Sequence, residues 1–82
     1  MNKRNKLLSK LGSHSNTFPW GDLETLMAQL GYQQQEMAGS RVRFYNPDTG
    51  HMVRLHRPHP DNVIKGGALK AVRVALKQEG YL

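Results

Sequence analysis

Two histidines and an arginine fall within four residues in the segment His56-Arg57-Pro58-His59. A histidine side chain titrates near neutral pH and can therefore accept or donate a proton during a reaction. RNA supplies its own nucleophile, the 2′-hydroxyl, so a base and cations that stabilise the phosphorane suffice without a metal. The segment predicts acid–base chemistry on a phosphodiester, with His56, Arg57 and His59 as candidate catalytic residues. The alternative is a pair of ordinary surface histidines beside a turn.

Other chemistries find less support in the sequence. His56 and His59 could chelate a metal, but a zinc site needs three or four ligands and only Asp61 is close in sequence. Ser40, His59 and Asp61 could form a hydrolase triad on paper, yet no nucleophile elbow accompanies them. We therefore expect neither a metal site nor a cofactor.

The charge of the chain favours a polyanionic partner. Its 82 residues include 12 Lys and Arg against 6 Asp and Glu, which gives a formal net charge of +6. Nucleic acid is the commonest partner for such a surplus. There is no cysteine, no apolar run near the roughly 20 residues that span a bilayer, and no pattern typical of a secretory signal. These features predict a cytoplasmic protein without a membrane segment.

Alternating strands are expected to present the basic residues on one surface. Residues 41–45 alternate cleanly, residues 46–50 have hairpin-turn chemistry, and residues 52–56 form the returning strand. If Val42, Phe44, Val53 and Leu55 face the core, the opposite face carries Arg41, Arg43, Tyr45, Arg54 and His56. Arginines around an aromatic ring suit RNA binding, because they hold phosphates while the ring stacks on a base. The alternative is a solvated face that only deters edge aggregation.

Two amphipathic helices flank these strands. The first is predicted over Thr17–Leu30, with Thr17 or Asn16 as N-cap and Pro19 in its first turn. The last is predicted from about Gly67 to Gln78, with Lys70, Arg73 and Lys77 most simply forming a solvated basic stripe. A polar edge strand over residues 32–37 and an irregular loop over residues 57–62 complete the pattern.

The predicted fold class is therefore α+β, in the order helix, three strands, helix. A three-stranded antiparallel sheet carries both helices on one face and leaves the other face open to solvent. Residues 17–82 form this domain. Residues 1–16 form a basic N-terminal extension with room for a short helix.

The order of several short motifs resembles the HicA toxin family. The matching segments are residues 18–32, Gly39-Ser40-Arg41-Val42-Arg43-Phe44, Asn46-Pro47-Asp48 with Gly50, residues 55–60 and residues 65–82. The resemblance implies a fold like a double-stranded-RNA-binding domain and the cleavage of mRNA. It also implies neutralisation by a HicB-type antitoxin protein, hence a toxin–antitoxin hetero-oligomer. The RNA-binding candidates are Ser40, Arg41, Arg43, Tyr45, Arg54 and Lys65.

One departure from the family pattern bears directly on catalysis. The family has a catalytic histidine just after its Gly-Ser, where this chain has Arg41 and Val42. Gly12-Ser13-His14 has the expected letters, but it precedes the first strong helix and is out of register. Either His56 or His59 therefore takes the proton-transfer role, or the protein binds RNA without cutting it. A third reading is a protein-interaction module whose basic face meets an acidic partner.

Overall fold

The computed structural model describes residues 3–13 and 16–82 as an α+β fold, which confirms the predicted class. In chain order the elements are α1 (Lys3–Gly12), β1 (Thr17–Pro19), α2 (Trp20–Gln29), β2 (Gln33–Glu36), β3 (Arg41–Tyr45), β4 (Met52–His56), β5 (Val63–Lys65) and α3 (Gly66–Gln78). The predicted helix, three strands and helix correspond to α2, the sheet strands β2, β3 and β4, and α3, and β5 is an additional short strand before α3. Within these two ranges no helix has the length and apolar character needed to cross a bilayer.

Strands β2, β3 and β4 form an antiparallel sheet in that spatial order. Its core face is apolar, because Val42 and Phe44 of β3 lie opposite Leu55 and Val53 of β4 and all four side chains are buried. They join Leu23, Leu26 and Met27 of α2 and Leu69, Val72 and Leu76 of α3 in one hydrophobic core. Since side chains alternate along a strand, the remaining side chains of the sheet point away from the helices.

The hairpin between β3 and β4 is anchored to the end of α2. The Asn46 side chain is buried; its Nδ2 donates to the Leu30 carbonyl at 3.2 Å and its Oδ1 accepts from the Asp48 N–H at 3.0 Å. The Tyr32 hydroxyl lies 2.5 Å from Nδ1 of His51. Burial, reinforced by nearby Tyr81 and Glu79, raises the pKa of Tyr32 to about 12, so the hydroxyl stays protonated at neutral pH. These contacts fix the hairpin and hence the position of β4.

The predicted start of the first strong helix is wrong. Thr17–Pro19 form β1, which pairs antiparallel with β5, and α2 begins at Trp20 without a side-chain cap. Phe18 lies opposite Ile64, and both side chains are buried. Pairing with a distant strand therefore overrides the local capping signal of Thr17, and this apolar contact is the physical reason. Strand β5 directly follows residues 57–62, the segment expected to be irregular, in a stretch for which no element was predicted.

Helix α1 packs against α2 and contributes to the same core. Leu7 and Leu11 are buried, and Lys10 Nζ pairs with Asp22 Oδ2 at 2.7 Å. Arg73 of α3 donates from Nε to the Leu11 carbonyl at 2.7 Å and from its terminal nitrogen to the Ser13 carbonyl at 2.9 Å. Arg73 therefore fastens the end of α1, and the expectation that it belongs to a solvated stripe is wrong. His14, from the Gly12-Ser13-His14 triplet, lies outside the described residues.

Candidate active site and nucleic-acid interface

The side chains of β2, β3 and β4 that point away from the core form a basic surface, which we call the open face. The strand registers place these residues on it: Gln33, Gln35, Arg41, Arg43, Tyr45, Met52, Arg54 and His56. All of them are exposed or half-buried, and none is acidic. The open face therefore concentrates positive charge without an internal counter-charge, as the alternation of β3 and β4 predicted.

His56 lies at the end of the sheet where β3 begins. In the β3–β4 register it is directly opposite Arg41, and its Nδ1 is 3.3 Å from Oγ of Ser40. The Arg57 main-chain N–H donates to the Ser40 carbonyl at 2.7 Å, which ties the end of β4 to the Gly39-Ser40 turn. His56 on β4 therefore lies beside position 41 of β3, where the family resemblance implies a histidine.

Two shallow hollows meet at His56. The first, about 370 Å³, lies on the open face, and its lining includes Met37, Arg41, Arg43, Arg54 and His56. The second, about 280 Å³, lies beside the proline-rich segment and is lined by residues that include His56, His59 and Lys65. The structure therefore brings His56 and His59 to the same hollow. Lys65, which pairs with Asp61 at 3.8 Å, lines this second hollow and not the first.

The Arg57 side chain is directed elsewhere. Its guanidinium forms an ion pair with Glu36 and lies 5.8 Å from the centre of the Trp20 ring. It lines neither of the hollows that contain His56. Consecutive side chains of an extended segment point to opposite faces of a sheet. Because His56 points to the open face, the Arg57 side chain points to the opposite side. That alternation was visible in the sequence, whereas the partners Glu36 and Trp20 were not.

The three arginines of the open face are held to different degrees. Arg43 donates from Nε to Oε1 of Gln35 at 2.7 Å, and Arg41 donates from Nε to the Ala38 carbonyl at 3.2 Å. Within residues 3–13 and 16–82, no hydrogen bond or ion pair holds the Arg54 guanidinium. Sequence analysis missed Gln35 and Met37, because the strand pattern alone does not give the register of β2 against β3.

The described part of the chain gathers no group of three His, Asp or Glu side chains at metal-binding distance. His51 contacts Tyr32 at the hairpin. What the site offers chemically is thus imidazole groups next to guanidinium groups. Such a set can move a proton and stabilise negative charge on a phosphate.

Comparison with known proteins agrees with this architecture. The family model described as the HicA toxin of bacterial toxin–antitoxin systems matches residues 20–81, from the start of α2 to beyond the end of α3. No curated protein and no solved structure gives a significant match. Because the family match covers most of the chain and the observed fold is consistent with it, this protein belongs to the HicA toxin family of bacterial toxin–antitoxin systems.

Proposed function

We propose that this chain is a metal-independent endoribonuclease that cuts mRNA in the cytoplasm. The single observation that carries the proposal is the register that sets His56 directly opposite Arg41, with Ser40 Oγ 3.3 Å from its Nδ1. A histidine on β4 therefore lies beside the β3 position at which this chain lacks the family's usual histidine. The basic open face beside it offers the electrostatic environment that a polyanionic substrate needs.

In the proposed reaction, His56 removes the proton from the 2′-hydroxyl of the substrate. The 2′-oxygen then attacks the adjacent phosphorus, and the bond from phosphorus to the 5′-oxygen of the next nucleotide breaks. Arg41 and its neighbouring arginines stabilise the extra negative charge of the phosphorane. His59, which lines the second hollow with His56, is assigned to protonate the departing 5′-oxygen. Products would carry a 2′,3′-cyclic phosphate and a 5′-hydroxyl.

The proposal is tested by incubating purified protein with RNA in the presence and absence of EDTA. We expect equal cleavage rates under both conditions, because the reaction uses imidazole and guanidinium groups and no bound metal. Analysis of the termini should find cyclic phosphates and 5′-hydroxyls. Loss of activity in EDTA, or 5′-phosphate termini, would contradict the assigned mechanism.

Ser40 is proposed to orient the His56 imidazole through the contact at Nδ1. Replacing Ser40 with alanine should lower the rate of RNA cleavage about 2- to 10-fold, which matches the loss of one hydrogen bond of about 0.5–1.5 kcal/mol. Ser40→Thr, which keeps the hydroxyl, should recover most of the rate. A loss of about 10²-fold or more, the size expected for an acid–base group, would instead place Ser40 in the chemical step.

A HicB-type antitoxin is the proposed partner in cells. The family is defined by toxin–antitoxin systems, and a protein that covers the open face would block the arginines and His56 together. We therefore propose a toxin–antitoxin hetero-oligomer in which an acidic antitoxin surface meets this face.

A second candidate function is RNA binding without cleavage. The observation that favours it is Arg41 at the position of the family's histidine. It predicts salt-dependent RNA binding with no product even after long incubation, so the EDTA experiment separates the two functions directly.

A further inference from the structure

The open face carries a like-charge pair that the fold itself does not require. Arg43 and Arg54 lie directly opposite each other in the β3–β4 register. Like charges in that position destabilise an antiparallel sheet. Arg43 is bound by the neutral amide of Gln35, and no carboxylate shares the face. An anion placed between the two guanidinium groups would relieve this repulsion.

The residues of the open face form three rows across the sheet, at successive positions along β3 and β4. The first row holds Arg41 and His56, and the second holds Arg43 and Arg54. The third holds Tyr45 and Met52, both half-buried. Neighbouring rows are two residues apart, which is about 6.6 Å at about 3.3 Å per residue. That spacing suits one nucleotide step of an extended, unstacked RNA strand.

From this order we infer that the substrate is single-stranded RNA that runs along β3 and β4. The scissile phosphate lies at the first row, the next phosphate binds between Arg43 and Arg54, and an unpaired base stacks on Tyr45 beside Met52. A duplex turns its bases inward and cannot offer one to Tyr45, whereas a single strand can. Only the placement of the scissile phosphate at the first row rests on the proposed function. The contacts at the second and third rows follow from charge and from the strand register.

Binding to the His56→Ala variant tests this inference independently of cleavage. The probes are a fluorescein-labelled 12-nucleotide single-stranded RNA and the same strand annealed to its complement. Fluorescence anisotropy is measured at one fixed low salt concentration, because electrostatic affinity depends on salt. We expect the single strand to bind at least about tenfold more tightly than the duplex, given the lost stack on Tyr45.

Variants at the second and third rows, made in the same background, locate the contacts. Tyr45→Leu should weaken single-strand binding about 5- to 150-fold, the range for loss of one base stack, and Tyr45→Phe should restore most of it. Arg54→Gln should weaken binding more than Lys70→Gln, which removes the same charge from the exposed surface of α3. Relief of the like-charge pair should leave the melting temperature of Arg54→Gln equal to or above that of the parent.

Two results would overturn the inference: a duplex that binds as tightly as the single strand, or a Tyr45→Leu variant that binds like the parent. Cleavage of RNA by a protein that prefers the duplex would remove this inference and leave the proposed function intact. If the wild type binds the single strand in this order without cleaving it, the proposed function fails and this inference stands.

Discussion

Replacing His56 with alanine should reduce the rate of RNA cleavage by about 10²- to 10⁴-fold, the usual contribution of a general acid–base group. The side chain is exposed, so its removal should leave the fold intact. His59 lines only the second hollow, and His59→Ala should therefore cause the smaller loss. The measurement is the initial rate on a labelled RNA under EDTA. In cells, expression of the wild type should arrest growth, and His56→Ala should relieve that arrest.

The register between β3 and β4 supplies a sharper control. Because Arg41 lies directly opposite His56, the double variant Arg41→His/His56→Ala moves the imidazole to the adjacent strand position. This variant also restores the family's Gly-Ser-His pattern, and it should recover part of the activity lost in His56→Ala. Wild-type rates in His56→Ala, or a greater loss in His59→Ala, would show that the base has been assigned to the wrong residue.

The sequence predicted those parts of the fold that depend on local patterns. Strict alternation over residues 41–45 and 52–56 specified both strands and the side chains that these two strands place on the open face, as the structure confirms. The same alternation directs the Arg57 side chain away from the open face, and its guanidinium lies against Glu36 and Trp20. Catalytic use of that guanidinium stays a prediction. The main-chain N–H of Arg57 donates to the Ser40 carbonyl.

Features of the fold that depend on contacts between residues far apart in sequence could not be predicted from local patterns. Thr17 and Pro19 suggest the start of a helix, but Phe18 instead pairs with Ile64 in a two-stranded ribbon that buries both of these side chains. The alignment of His56 with Arg41 depends on the hairpin register, which the sequence of the turn alone left open. The structure therefore adds the geometric reason to favour His56 over His59 as the base, a choice that the sequence left undecided.

Helix α1 lies outside the residues matched by the family model, yet its apolar side chains are part of the core. Leu11 has no exposed surface, and the carbonyl at the same residue accepts a hydrogen bond from Arg73 of α3. The opposite side of the helix is polar: Ser9 and Lys10 are exposed, and Lys10 pairs with Asp22. Such a helix contributes to stability through its buried leucines much more than through its surface ion pair.

Leu11→Ala should therefore lower the free energy of unfolding by about 2–5 kcal/mol, the range for a buried leucine that leaves a cavity. A core in a domain this small supplies only about 3–5 kcal/mol, so the variant should be partly unfolded at ambient temperature. Urea denaturation followed by circular dichroism measures the change, with the exposed Ser9→Ala on the same helix as the matched control. If Leu11→Ala unfolds at the same urea concentration as Ser9→Ala, α1 is a dispensable appendage. If it does not, the toxin's sheet and its open face depend on a helix that the family pattern does not include.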